Sequence, residues 1–184
     1  MLKPLFIAAA AFALIAAAPG LEAETAPLLK RAEAASEKGD WNAAIIDLRA
    51  VRDIASKKAG ADDPQTLRAG TLLVQALTQS GQYEQAIAEG IAPLKTYSTP
   101  ETKANIDGLY LRYYLAQAFS KCLAARCGDE PHRMGNVDAL MEAMMAGLST
   151  YKRGDTRVAE LRAIFTETCT QRYEPTDCAN ANGK

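Results

Sequence analysis

The sequence predicts an all-α protein built as an antiparallel stack of helical hairpins, about three of them, closed by a C-terminal capping helix. Three observations carry that prediction. Ala, Leu, Glu, Gln, Lys and Arg dominate the body of the chain, and these are the strong helix formers. Runs of β-branched residues are missing, and no strand-like alternation persists. Two turns placed 42 positions apart share one pattern, and a fixed period in this range is the mark of stacked helical units.

The N-terminus comes first. Lys3 gives a short basic start, Leu5 to Ala18 is an uninterrupted apolar run, Pro19 and Gly20 break it, and Leu21-Glu22-Ala23 ends in a small residue. That layout is expected of a secretory signal peptide over residues 1–23, cut after Ala23, with Gly20 the other choice. The run is shorter than the roughly 20 apolar residues of a membrane-spanning helix. A membrane is expected only through an uncleaved signal. The expected location is exported, in a bacterial periplasm or secreted beyond it. The rest, about 160 residues, is long enough for one domain with its own core.

Stops and starts mark the helices. Gly39-Asp40, Gly60 to Pro64, Ser80-Gly81, Ser98-Thr99-Pro100, Cys127-Gly128-Asp129 and Arg153-Gly154-Asp155 punctuate the chain. Asp63-Pro64 and Thr99-Pro100 each look like an N-cap followed by proline at the first helical position. The expected helices cover 25–38, 41–57, 64–80, 83–96, 100–124, 136–152 and 155–172. The last of these is the cap, with Val158, Leu161, Ile164 and Phe165 on one side and Arg157, Glu160, Arg162 and Glu167 left to solvent. The domain is expected over 24–172, followed by a tail over 173–184 held by a cysteine.

The two similar turns are Gly39-Asp40-Trp41-Asn42-Ala43-Ala44-Ile45 and Gly81-Gln82-Tyr83-Glu84-Gln85-Ala86-Ile87. Each glycine permits a tight turn. Trp41 and Tyr83 start the second helix of a hairpin and pack back on the first. Ala44 and Ala86 let two helix backbones come close. A single hairpin cannot bury its apolar face, so such units stack.

On these residues the chain resembles a tetratricopeptide repeat protein. Leu28, Arg31, Ala32 and Ala35 precede Gly39, Trp41, Ala44 and Leu48. Gly70, Leu73, Val74 and Leu77 precede Gly81, Tyr83, Ala86 and Gly90. A third step lands on Arg112, Leu115, Ala116 and Phe119. The long period and the opening Pro64-Gln65-Thr66-Leu67 resemble the kinesin-light-chain form of the repeat. Arg31, Val74, Gly70 and Gly90 depart from the pattern, and the third turn does not show it. The resemblance covers residues 25–124 best. It implies a module that binds a protein or peptide in a groove lined by first helices. Carried over residue by residue, the groove takes Glu33, Ser36 and Glu37, then Arg68, Thr71, Gln75 and Gln79, then Tyr110, Tyr113, Gln117 and Lys121. Amide and guanidinium groups there suit an extended backbone, and the tyrosines suit an apolar side chain.

Cys122, Cys127, Cys169 and Cys178 make an even count, which in an exported chain points to disulfides. Up-and-down helices would gather all four sulfurs at one end. A bridge within 122/127 needs the helix to end between them, since five residues of helical rise hold the α-carbons too far apart. Bridges joining the 122/127 pair to the 169/178 pair are therefore favoured.

The remaining chemistry is mostly exclusion. With 21 basic and 22 acidic side chains, the chain has no electrostatic footprint for nucleic acid. His132 is the one histidine, in an expected loop, so catalytic triads have little to draw on. No His-Glu-x-x-His helix and no phosphate loop occur. No enzymatic activity, cofactor or metal is expected. Met134, Met141, Met144 and Met145 read as core filler before they read as an adaptable surface. Two alternatives stay open: a self-associating component of envelope assembly, and a small hydrolase-type or metal site around His132 and the cysteines.

Overall fold

The computed structural model describes residues 20–127, 131–170 and 178, with the backbone alone for 131–135 and 170. The expected signal peptide and tail lie outside these residues, save for 20–23 and Cys178. The chain is all-helical. Its elements are α1 (Leu21–Glu37), α2 (Trp41–Ala59), α3 (Pro64–Gln79), α4 (Tyr83–Thr96), α5 (Ile106–Ala124), α6 (Pro131–Leu148), a 3₁₀ turn (Thr156–Val158) and α7 (Ala159–Thr170). The chain divides into two compact units between Pro93 and Leu94, inside α4. In the first unit α1 packs on α2 and α2 on α3, and in the second α5 packs on α6.

In the first unit, α1 and α2 form an antiparallel hairpin. Arg31 pairs with Asp47, and Glu24 with Lys58 at the far end. Asp63 then caps α3 by accepting from the Gln65 amide at 2.9 Å, with Pro64 in the first turn as expected. α3 is the core of this unit. Leu67, Leu72, Leu73, Val74, Ala76 and Leu77 are buried, and so are Thr66, Thr71, Gln75 and Thr78. α4 returns over α3, bringing Pro93 onto Gly70. It runs parallel to α2, joined by Asn42–Gln82, Arg49–Gln85 and Arg52–Glu89.

In the second unit, the residues after Pro100 do not start a helix. The Thr102 hydroxyl donates to the Thr96 carbonyl at 2.7 Å, which keeps this stretch as a closing turn of α4. The cap is Asn105, whose side chain accepts from the Gly108 amide. The expected start at 100 is thus corrected to Ile106. α6 begins at Pro131, five residues earlier than expected, with proline in the position it favours at a helix start. The backbone of His132 is therefore in the first turn of a helix and not in a loop. The core joins Leu109, Leu111 and Leu115 of α5 to Val137, Met141, Met144 and Leu148 of α6 and Leu161 and Phe165 of α7. Met141 and Met144 are core, as expected.

Arg162 corrects another expectation. It is buried, and its guanidinium donates to the carbonyls of Leu148, Tyr151 and Lys152 at 2.8–3.0 Å. It satisfies the open C-terminal end of α6, where a cation also complements the helix dipole.

The first helices of the hairpins end alike. Gly39 donates to Ser36 O and Asp40 to Ala35 O, and Gly81 donates to Thr78 O and Gln82 to Leu77 O. Both glycines are left-handed, with φ of 75° and 82°. This is the paired closing pattern of a Schellman turn. α5 closes the same way: Arg126 donates to Leu123 O and Cys127 to Cys122 O, with Arg126 at φ 56°. The third turn, not visible in the sequence, is present three residues later than the period implies.

That turn also corrects the disulfides. The bridges are Cys122–Cys127 and Cys169–Cys178, with α-carbons 5.1 and 5.8 Å apart. Neither joins the two pairs. α5 stops at Ala124, and the left-handed Arg126 swings Cys127 back over Cys122. In loops this short each bridge contributes about 2–3 kcal/mol by restricting the unfolded chain.

Candidate binding pocket

The second unit holds a pocket of about 360 Å³ between α5, α6 and α7. That is within the usual range for a small-ligand or side-chain site. Tyr113, Ala116, Gln117, Ser120 and Lys121 of α5 line it, with Val137 and Met141 of α6 and Thr168 of α7. The α5 residues follow 3-4 spacing, so one helix face supplies all of the polar wall except Thr168. Ala116, Val137 and Met141 make an apolar floor. Lys121 and Ser120 are exposed at the rim.

The polar wall is ordered by its own hydrogen bonds. Gln117 Nε2 donates to the Tyr113 hydroxyl at 2.6 Å. Tyr113 lies in hydrogen-bonding reach of Thr168, whose hydroxyl donates to Ile164 O at 2.9 Å. Gln117 Oε1 is enclosed and accepts from no group among the described residues.

The tyrosines of α5 are held neutral. Burial, then Glu160 and Asp107, pushes Tyr110 above the ordinary phenol range. Burial raises Tyr113, with Thr168 opposing, and burial raises Tyr114 further. The three rings pack together, Tyr110 stacked on Tyr114 and Tyr113 edge-on to it. Such phenols can donate or accept a hydrogen bond but do not serve as bases near neutral pH.

Of the eleven groove positions, Tyr113, Gln117 and Lys121 come together in this pocket. Tyr110 is buried beside them in the core. The first unit presents its positions differently. Thr71 is enclosed with its hydroxyl donating to Leu67 O, and Gln75 is fully buried. Neither is open to a ligand. Ser36 is also buried, donating to Ala32 O. Glu33, Arg68 and Gln79 are half-buried, and Glu37 is exposed at the end of α1. Arg68 lines a crevice of about 10 Å³ with Thr25, Leu29 and Gln65, room for roughly one water. Ser120, Val137, Met141 and Thr168 line the pocket without having been expected there. Of these, only Met141 carried a signal, as one of the methionines.

All four cysteines are bonded in pairs, so none supplies the thiolate that a zinc site or a cysteine nucleophile needs. Among the described residues no group of three His, Cys, Asp or Glu gathers to hold a metal. No described helix is long and apolar enough to cross a membrane.

The chain matches no family model, no curated protein and no solved structure.

Proposed function

We propose that this chain is an exported helical-repeat binding module that captures a segment of another protein and carries out no catalysis. The observation that carries the reading is the pocket of the second unit. An apolar floor suits one side chain of a partner, and the exposed Ser120 hydroxyl and Lys121 ammonium at the rim suit backbone carbonyls beside it. Phenols held neutral and a single rim cation make a recognition surface with no acid–base pair. The repeated closing turns of α1, α3 and α5 support the likeness to tetratricopeptide repeats. Two disulfides support an oxidising compartment. For the signal peptide, cleavage after Gly20 is preferred to cleavage after Ala23. Leu21 is fully buried, and its carbonyl accepts from Thr25, so the later cut removes part of the α1 core.

The test is capture from the extracytoplasmic fraction with the wild-type chain and with Ser120→Trp as baits. Ser120 is exposed at the rim, so the indole fills the mouth of the pocket without disturbing the core. The expected result is a protein retained by the wild type and lost with Ser120→Trp. Intact mass of the bait reads Leu21 as the first residue and four hydrogens fewer than the reduced chain. Equal retention by both baits contradicts the pocket as the binding site.

A further inference from the structure

We propose that the Cys122–Cys127 disulfide replaces the glycine that closes α1 and α3, and is a latch that a dithiol can open. The proposal goes beyond the binding reading and does not depend on what occupies the pocket.

Three closing turns share one hydrogen-bond pattern. Two use glycine at the left-handed position, Gly39 and Gly81. The third uses Arg126 at φ 56°. A side chain with a Cβ opposes that conformation by roughly tenfold or more in its equilibrium. The disulfide joins the two residues that bracket the turn. Their counterparts are Ala35 with Asp40 and Leu77 with Gln82, which are linked by a backbone hydrogen bond and no covalent bond. An apolar contact commonly accompanies this turn at the same two positions. In α5 a covalent bond takes its place, and it supplies the constraint that glycine supplies elsewhere.

The two bridges differ in access. Cys169 and Cys178 are both buried, at 0% and 1% exposure. Cys122 is buried too, but Cys127 is only partly covered. Of the four cysteines Cys127 alone is left partly open, and thiol–disulfide exchange requires access. A dithiol attacks there, the S–S bond breaks, and Cys122 leaves as a thiol. The second thiol of the reductant then displaces Cys127. The reductant ends as its own disulfide, and the protein gains two hydrogens. The turn is then left with Arg126 in a conformation that only hydrogen bonds maintain. The last turn of α5 loosens, and it carries Ser120 and Lys121 of the pocket rim, with Lys121 O accepting from the Ala125 amide at 2.9 Å.

Two measurements on the full oxidised chain test this. In the first, limiting dithiothreitol is followed by alkylation and peptide mass spectrometry. Cys122 and Cys127 are expected to label at least tenfold faster than Cys169 and Cys178. Simultaneous opening, or the reverse order, overturns the latch. In the second, amide hydrogen exchange is followed at residues 125–127. Protection is expected to fall at least tenfold in Cys122→Ala/Cys127→Ala and to return when Arg126→Gly is added. Arg126→Gly in the oxidised chain should leave it within twofold. Protection that survives loss of the disulfide, or that glycine does not restore, overturns the replacement. If the double variant does not fold, the wild type and Arg126→Gly are compared after limiting reduction. Equal loss of protection in both then counts against the proposal.

Discussion

Arg162 shows how much one side chain can hold in place. Its guanidinium closes the carbonyl end of α6 from α7, tying two helices of the second unit. Arg162→Met keeps much of the packing volume and leaves buried carbonyls without their donor. It is expected to destabilise the chain by about 3 kcal/mol, measured by urea unfolding. Gly147 makes the opposite kind of demand. A Cβ there would lie 2.5 Å from Leu109 Cδ2 and 3.0 Å from the Lys103 carbonyl oxygen. The carbonyl belongs to the backbone and cannot step aside as a side chain can. Gly147→Ala is expected to cost about 1–3 kcal/mol through overpacking, despite the better helix propensity of alanine. A stabilised Gly147→Ala would show that α5 and α6 are less closely packed than described.

At the scale of the element, α5 carries most of what is distinctive. One face lines the pocket, another buries Leu109, Leu111 and Leu115, and its end is stapled by a disulfide. Its tyrosines also set a pH limit. Tyr110, Tyr113 and Tyr114 have their ionisation raised above the ordinary value of 10.0, chiefly by burial. A folded-state value above the unfolded one means that folding favours the protonated phenol. The stability tied to it is complete below pH 10 and is lost as pH rises through the folded-state values. Absorbance at 295 nm should therefore show these three of the seven tyrosines, and Tyr151, which burial also raises, titrating late, together with loss of helical circular dichroism. Ionisation of all seven near pH 10 with the helices intact would contradict the burial of this face.

Across the whole molecule, the parts legible in the sequence are those set by local chemistry. Gly39, Asp63-Pro64 and Gly81 mark ends that backbone conformation dictates, and the helices near them begin and end within a few residues of expectation. Features that depend on tertiary surroundings were hidden. An arginine in a left-handed turn gives no signal of its own, so the close of α5 went unseen and the cysteines were paired across helices. Arg162 reads as a solvent-facing residue until α6 ends beside it. Thr71 and Gln75 read as groove residues because the repeat resemblance carries the groove onto them, but α3 is enclosed on nearly all sides and both are buried with it. The α5 part of the site was legible through the repeat resemblance, which carries the groove onto Tyr113, Gln117 and Lys121. The α6 and α7 parts were not, because no periodicity links Val137 or Thr168 to those positions.

The most direct test of the binding account is site-specific photo-cross-linking in the cell that makes the chain. A benzophenone side chain replaces Lys121 at the pocket rim or, as a control, the exposed Ile46 of α2. The account predicts one discrete cross-linked protein from position 121, absent from position 46 and absent when Ser120→Trp is also present. Cross-linking from position 46 alone, or from position 121 whether or not the pocket is filled, would contradict it.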